Sequence, residues 1–201
     1  MVPGTGVVKR IRTFIAVELD QALRRQALGL QKQLARIAGS DVKWAEPENL
    51  HVTLLFLGEV NDVEIPRIFR IAEQAAVCQP PFTMSLEMLG AFPSIHHPRV
   101  LWIGVGSGAQ ELIALHDRLE PPLSELGYRR EERKYTPHIT LGRVKAPGGQ
   151  SRLSSFLAQH SGFRAGSMLV EELALMASEL TPSGPLYTIL GRAHLGHKTE
   201  Q

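Results

Sequence analysis

The hydrophobic pattern of the chain predicts strands and helices in alternation. Short apolar runs at residues 14–17 and 102–105 have the length and composition of strands. Each run is followed by a stretch whose apolar residues recur at three- and four-residue steps, which predicts an amphipathic helix. These positions are Leu23, Ala27, Leu30, Leu34 and Ile37 in the first stretch, and Leu112, Leu115, Leu119, Leu123 and Leu126 in the second. The pattern therefore predicts two strand–helix segments of similar design.

Each segment leads to the same tetrapeptide, His-aliphatic-Thr-Leu, inside a further apolar run. The copies begin at His51 and His138, which lie 37 and 36 residues after the start of the preceding strand. Side chains alternate across a strand, so each histidine shares a face with the threonine two residues later, Thr53 or Thr140. We interpret the arrangement as a strand–helix–strand unit that occurs twice.

The remaining pattern predicts further elements without a low-complexity linker. A helix is expected at residues 66–77, a strand from residue 82 to 88, and a short helix at 154–160. Two more strands are expected at residues 168–177 and 186–194. This order is typical of an α+β protein. We predict one domain over residues 1–201, with two lobes of antiparallel sheet facing each other across a cleft that brings the two His-Thr pairs together.

Composition and charge exclude several classes of protein. With 43% hydrophobic and 21% charged residues, the 201-residue chain has the composition of a globular domain. A net charge of +2 does not suggest a polycationic binder, and the single cysteine, Cys78, cannot form an internal disulfide or a cysteine-rich metal cluster. No apolar run approaches the ~20 residues that span a bilayer. We expect a cytoplasmic protein without membrane contact.

A group of cations precedes the second tetrapeptide. It consists of Arg129, Arg130, Arg133 and Lys134, interrupted by two glutamates. Two interpretations stay open: a solvated loop of mixed charge, or cations that flank an anionic substrate at the mouth of a site.

The other histidines give little support for a metal site. His96 and His97 are adjacent, and neighbouring residues of an extended loop point apart. His116 lies in the second helical pattern without a partner at ligand spacing. A single histidine in an apolar strand is often structural, but packing alone does not require histidine and threonine at the same spacing in both copies. The four residues together therefore predict a site with two acid–base groups and two hydrogen-bond donors.

The tetrapeptides resemble the two His-x-Thr signatures of the 2H phosphoesterase superfamily, in particular its RNA 2′,3′-cyclic phosphodiesterases, also called 2′-5′ RNA ligases. The resemblance extends over nearly the whole chain. It includes Arg-Thr-Phe-Ile-Ala-Val from Arg12, Trp-Ala-Glu-Pro-Glu-Asn-Leu before His51, Gly-Ala-Phe-Pro from Gly90, Pro-Arg-Val-Leu-Trp from Pro98, and Tyr-Thr-Pro before His138. The chain differs at His96 and His97, where the family more often has Arg or Lys.

The resemblance implies a metal-independent hydrolysis of RNA 2′,3′-cyclic phosphate ends to 2′-phosphates, without a cofactor. His51 would donate a proton to the departing 3′-oxygen, and His138 would accept one from the attacking water. Both tasks suit imidazole near neutral pH. Thr53 and Thr140 would donate hydrogen bonds to the non-bridging oxygens.

The resemblance also implies that Phe56 and Arg143 sandwich the terminal nucleobase, since an aromatic ring and a guanidinium plane both stack on bases. Each lies five residues after a histidine, where strict alternation would turn it to the opposite face. A bulge near Gly142 could redirect Arg143. For Phe56, a place in the core stays an open alternative.

Other activities remain open at this point. The same site could instead catalyse reversible 2′-5′ ligation of tRNA halves, or act on a small cyclic nucleotide. A non-catalytic RNA-binding module would need neither histidine. We expect a monomer whose partner is RNA with a 2′,3′-cyclic phosphate end.

Overall fold

A computed structural model describes residues 9–129, 133–145, 151–182 and 184–196. In these ranges, nine strands and four α-helices form a two-lobed α+β structure, as predicted. The strands are β1 (Arg10–Glu18), β2 (Val42–Trp44), β3 (His51–Asn61), β4 (Phe82–Pro93), β5 (Pro98–Val105), β6 (His138–Val144), β7 (Arg164–Val170), β8 (Glu172–Thr181) and β9 (Gly184–His194). The helices are α1 (Gln21–Ala38), α2 (Ile65–Val77), α3 (Ala109–Glu125) and α4 (Ser151–Gln159).

The strands form one antiparallel sheet in the order β7-β4-β5-β6-β3-β1-β8-β9, with β2 pairing to β6. The order is pseudo-symmetric about the junction between β6 and β3, because β5 and β6 of the second unit mirror β1 and β3 of the first. At that junction, Val52 pairs with Ile139. These two residues hold the same position in the two tetrapeptides. The two lobes are therefore halves of a single sheet, joined at the centre of the repeat.

The helices cover one face of this sheet. Helices α1 and α4 pack together near β4 and β7, whereas α2 and α3 pack together over β3, β8 and β9. The predicted apolar faces of α1 and α3 are confirmed, since Leu23, Leu34 and Leu112 are fully buried. Each such leucine contributes roughly 1.5–3 kcal/mol through burial. The opposite face, which we call the open face, carries a smaller apolar cluster of Phe14, Ala16, Ala174 and Met176.

The segment at residues 168–177 does not form the single strand that the pattern predicted. It divides into the end of β7 and the start of β8, separated by Glu171 alone. Strand β7 pairs with β4 at one edge of the sheet, and β8 pairs with β1 near the other edge. Because one residue cannot bridge distant edges, the sheet must curl until its two ends approach each other. Alternation alone does not indicate a change of pairing partner.

No helix in the described ranges is both long and apolar enough to cross a membrane.

A methyl group at Gly142 tests the packing of β2 against β6. A Cβ there would lie 2.7 Å from Val42 Cγ1 and 2.9 Å from Trp44 Cε3. We expect Gly142→Ala to lower the free energy of unfolding by about 1–3 kcal/mol, because a well-packed contact would have to move. Urea unfolding measures the change.

Gly29→Ala is the matched control, because no atom lies within 4 Å of its added Cβ. This helical position is expected to gain up to about 1 kcal/mol from helix propensity. Equal effects of the two substitutions would contradict the close approach of β2 to β6.

Candidate active site

The two tetrapeptides present their polar side chains on the open face of the sheet. His51, Thr53, His138 and Thr140 are partly buried there. The alternate residues Val52, Leu54, Ile139 and Leu141 lie beneath them in the core, each at most 2% exposed. The expected division into a polar face and a core face is therefore present in both motifs.

The pairing of Val52 with Ile139 brings the motifs side by side. In an antiparallel ladder, the residues flanking a paired position face each other in reverse order. The register set by this pair directs His51 toward Thr140 and Thr53 toward His138, although the paired ladder itself ends at Val52 and Ile139. The two imidazoles sit on a diagonal of this four-residue group, with a hydroxyl beside each.

A β-bulge lies at the last residue of each tetrapeptide and resets the alternation of side chains. In β3, Ala16 pairs with Thr53 but Ile15 pairs with Leu55, so Leu54 is the extra residue. In β6, Trp102 pairs with Thr140 but Leu101 pairs with Gly142, so Leu141 is extra. The bulges thus occupy the same leucine of both tetrapeptides. Because each bulge adds one residue to the strand, every side chain after it lies on the opposite face from the one that strict alternation would give.

The bulges return Phe56 and Arg143 to the open face. Phe56 pairs with Phe14, its ring centroid lies 5.4 Å from that of Phe14, and its side chain is 43% exposed. The alternative that places Phe56 in the core is therefore wrong. Arg143 is exposed as well, and it pairs with Val100 in β5. The redirection does not need a glycine at the bulge, which is why it was missed for Phe56.

His51 sits in an apolar environment. Its ring stacks on Phe14 at 4.9 Å and meets the edge of Tyr187 at 5.3 Å, measured between centroids. Nε2 lies 3.0 Å from Thr53 Oγ1, whereas Nδ1 is buried without a partner of hydrogen-bond geometry in the described ranges. Burial lowers the pKa of His51 to about 4; the Asn49 backbone opposes this shift and the charge of Arg24 adds to it. His51 is therefore neutral at pH 7 in the free protein.

His138 is held in a different way. Its Nδ1 lies 2.6 Å from the carbonyl oxygen of Thr136. A carbonyl can only accept, so Nδ1 carries the hydrogen and donates it. In the neutral ring, Nε2 is then the nitrogen that can accept a proton. The edge of Phe92 contacts the ring at 5.1 Å, and Trp102 lies 6.3 Å away.

Tyr135 connects the second unit to the first. Its hydroxyl donates a hydrogen bond of 2.9 Å to the backbone carbonyl of Thr53. Strands β3 and β6 pair at Val52 and Ile139, and the ladder is not continued beyond that pair in the described ranges. The phenol therefore replaces a strand partner at the point where the lobes diverge. Its ring stacks on the buried His116 at 4.5 Å, which fixes its direction.

Gln31 makes the reciprocal connection. This residue of α1 is buried, and its Nε2 donates to the carbonyls of Ala45 at 2.8 Å and Leu141 at 2.9 Å. A helix of the first unit thus holds the bulged strand of the second. Neither Tyr135 nor Gln31 was identified from the sequence. For Tyr135 the repeat gives no signal, because Glu48 stands three residues before His51, where Tyr135 stands three before His138.

Aromatic side chains around the two histidines were also missed as site residues. Phe14 and Tyr187 enclose His51, whereas Trp102 and Phe92 enclose His138. Phe14 and Trp102 occupy corresponding strands of the repeat. This correspondence was the one sequence signal that could have identified them as site residues. Tyr187 comes from β9, outside both units, so no internal comparison could have found it.

The other candidate residues are exposed residues of connecting segments or lie outside the described ranges. His96 and His97 are exposed in the turn between β4 and β5. Arg129, Arg133 and Lys134 are exposed before β6, and Arg130 lies outside the described ranges. Within those ranges, no three His, Cys, Asp or Glu side chains are arranged to hold a metal ion.

Comparison with known proteins identifies the fold and the repeat. The family model described as LigT-like phosphoesterase matches the chain twice, at residues 17–102 and 103–187. Each match contains one His-x-Thr tetrapeptide. The chain is also similar to the crystal structure of TT0787 of Thermus thermophilus, with a TM-score of 0.79 and 30% identity over 94% of this chain and 100% of that one. Escherichia coli LigT complexed with 3′-AMP gives a TM-score of 0.77 at 28% identity, covering 93% and 99%.

Curated relatives carry a more specific name. A protein of Methanothermobacter thermautotrophicus is 38% identical over 89% of this chain and 96% of its own length. One of Archaeoglobus fulgidus is 40% identical over 88% of this chain and 96% of its own length. Both are named RNA 2′,3′-cyclic phosphodiesterase.

The environment of His51 predicts an unusual titration. By NMR, the His51 ring of the free protein should titrate with a midpoint near pH 4, and the His51→Gln protein identifies its resonance. Because the unfolded-state pKa is about 6.5, the unfolded chain takes up this proton first as the pH falls. The free energy of unfolding should therefore decrease from about pH 6.5 down to about pH 4, and His51→Gln should remove this contribution. A midpoint close to 6.5 would contradict the burial of the ring.

Proposed function

This chain belongs to the LigT-like phosphoesterase family, and we propose that it hydrolyses RNA 2′,3′-cyclic phosphate ends to 2′-phosphates. The observation that carries the proposal is the pairing of Val52 with Ile139, which sets His51, Thr53, His138 and Thr140 together on one face. The names of the curated relatives and the 3′-AMP complex of Escherichia coli LigT support a nucleotide substrate.

In this mechanism, His138 activates the attacking water. The Thr136 carbonyl holds the ring with hydrogen on Nδ1, so Nε2 is the nitrogen that accepts the proton of water as its oxygen bonds to phosphorus. The bond to the 3′-oxygen then breaks on the opposite side. Thr140 and Thr53 donate hydrogen bonds to the non-bridging oxygens, where negative charge increases.

His51 supplies the proton to the 3′-oxygen from Nε2, the nitrogen that faces Thr53. In the free protein this ring is neutral, because burial lowers its pKa to about 4. The cyclic phosphate is an anion, and an opposite charge in contact with imidazole favours its protonated form. We therefore propose that substrate binding itself raises the pKa of His51 and charges the acid. Phe56 and Arg143 bind the terminal base between a ring and a guanidinium plane.

The other properties of the proposal follow the sequence-based expectations. We propose one bilobal domain that acts as a monomer in the cytoplasm, since both units of the site come from one chain. Formation of a 2′-5′ linkage opens the same cyclic phosphate with a 5′-hydroxyl in place of water, so the balance of hydrolysis and ligation depends on the supply of RNA ends.

Removing either imidazole tests the proposal. With an oligonucleotide that ends in a 2′,3′-cyclic phosphate, His51→Ala and His138→Ala should each reduce kcat by at least about 10²–10⁴-fold, the usual contribution of a positioned acid or base. EDTA should leave the wild-type rate unchanged, and the pH–rate profile should be bell-shaped. The product, identified by ³¹P NMR, should be the 2′-phosphate.

His194→Ala is the control, because His194 is an exposed histidine of β9. This variant should keep the wild-type rate. Full activity of either active-site variant would exclude the two-histidine mechanism, and loss of activity with EDTA would exclude its metal independence. A 3′-phosphate product would show that the other ester bond breaks, and a joined strand would show that ligation dominates.

Tyr135→Phe tests whether the link between the lobes positions Thr53. Loss of the hydroxyl removes the hydrogen bond to the Thr53 carbonyl. We expect kcat to fall about tenfold while KM changes little, because Thr53 acts on charge that develops only in the transition state. Tyr128→Phe is the control, since its hydroxyl donates to Glu64 at 3.0 Å on the helix-covered side of the sheet. If the two variants had equal kcat values, Tyr135 would have only a structural role and would not position Thr53 for catalysis.

A further inference from the structure

A row of polar side chains crosses the open face beside the site and has no role in the mechanism above. Arg12 of β1 pairs with Ser178 of β8, and Ser178 pairs with Tyr187 of β9. Directly paired residues of antiparallel strands project from the same face. Arg12 is two residues before Phe14, so this face is the open face that also carries His51.

Tyr187 connects this row to the reacting groups. Its ring meets the edges of Phe14 at 5.0 Å and His51 at 5.3 Å, which fixes the phenol next to the acid. The side chain is partly buried, yet its hydroxyl makes no hydrogen bond within the described ranges. A fixed phenol with an unused donor is suited to bind a ligand oxygen.

Two guanidinium groups lie within electrostatic range of that phenol. Burial raises the pKa of Tyr187, and the charges of Arg12 and Arg143 oppose the rise. Both arginines are exposed, and neither forms an ion pair with a carboxylate in the described part of the chain. This includes Glu59, the cross-strand neighbour of Arg12 in β3. Arg12 comes from one lobe and Arg143 from the other, so a ligand between them would span the cleft.

We propose that Arg12 and Tyr187 bind the phosphodiester group immediately 5′ of the terminal nucleotide, while the charge of Arg143, whose plane stacks on the base, attracts the same phosphate from the other lobe. Two guanidinium groups and a phenolic donor match the charge and the acceptor oxygens of a phosphate. Tyr187, at one end of the row, contacts the ring of His51 directly. The row therefore lies within the length of one nucleotide from the reacting phosphorus. This inference rests on the proposed function, and it makes an oligonucleotide end a better substrate than a mononucleotide.

Two substrates test the proposal, one without this phosphate and one in which it joins a second adenosine to the terminal nucleotide. Adenosine 2′,3′-cyclic phosphate lacks it, and the dinucleotide ApA with a 2′,3′-cyclic phosphate end carries it. We expect the wild-type kcat/KM for the dinucleotide to be higher by about 10- to 100-fold, the range for charge-assisted hydrogen bonds. Arg12→Gln and Tyr187→Phe should each reduce that ratio by about tenfold. Arg12→Gln should also lower the salt dependence of dinucleotide KM by about 0.7 in log–log slope, one single-strand phosphate contact.

Arg67→Gln is the charge-matched control, because Arg67 is exposed on α2 at the helix-covered side. It should leave the ratio and the salt slope unchanged. If wild-type protein turns over both substrates equally well, the subsite is absent while the proposed hydrolysis stands. If the two variants lose activity equally on both substrates, they act at the reacting phosphate or on the fold, and the inference is overturned. If wild-type protein turns over neither substrate, the proposed function itself fails.

Discussion

The site depends on one contact, the pairing of Val52 with Ile139 where β3 meets β6. This pair lies at the centre of the repeat and joins the lobes into one sheet. The antiparallel direction places each histidine across from the threonine of the other unit, so two copies of one short motif complete a single site. Because both residues are fully buried, the contact also anchors the two cores to each other. A change at this point would separate the reacting groups and the lobes together.

The two bulges extend the influence of that contact to the rim of the cleft. Without an inserted residue at Leu54 and Leu141, Phe56 and Arg143 would point into the core. The bulges also bend the strands, which helps the lobes to diverge beyond the central pair. Tyr135 and Gln31 then satisfy backbone carbonyls near these bulges, at Thr53 and Leu141. The opening of the cleft and the direction of its rim residues thus share one structural cause.

The features that were predictable from the sequence are those that each unit contains within itself. Leucine spacing in α1 and α3 and alternation in the His-x-Thr strands are local, and they gave the helices, the strands and the open face. Contacts between units have no such local signal. The bulge beside Phe56 contains no glycine, the bond from Tyr135 joins residues 82 positions apart, and Tyr187 enters from β9. The division of the expected strand at Glu171 likewise arose from a change of pairing partner rather than from a break in alternation.

The repeat is symmetric in its motifs but not in their surroundings, and this difference bears on which histidine gives the proton. The Thr136 carbonyl fixes the tautomer of His138 and leaves Nε2 as an acceptor before any substrate arrives. Asn49 holds the equivalent position before His51, and its backbone raises the pKa of that ring, but burial against Phe14 and Tyr187 outweighs this effect and disfavours the charged ring. A neutral His51 alone would suit a base as well as an acid. The anionic phosphate breaks this ambiguity, because it stabilises the imidazolium only after it has displaced water from the cleft. In this mechanism, binding of the substrate protonates His51, and His51 then gives that proton to the substrate's 3′-oxygen. The free protein thereby avoids a buried positive charge.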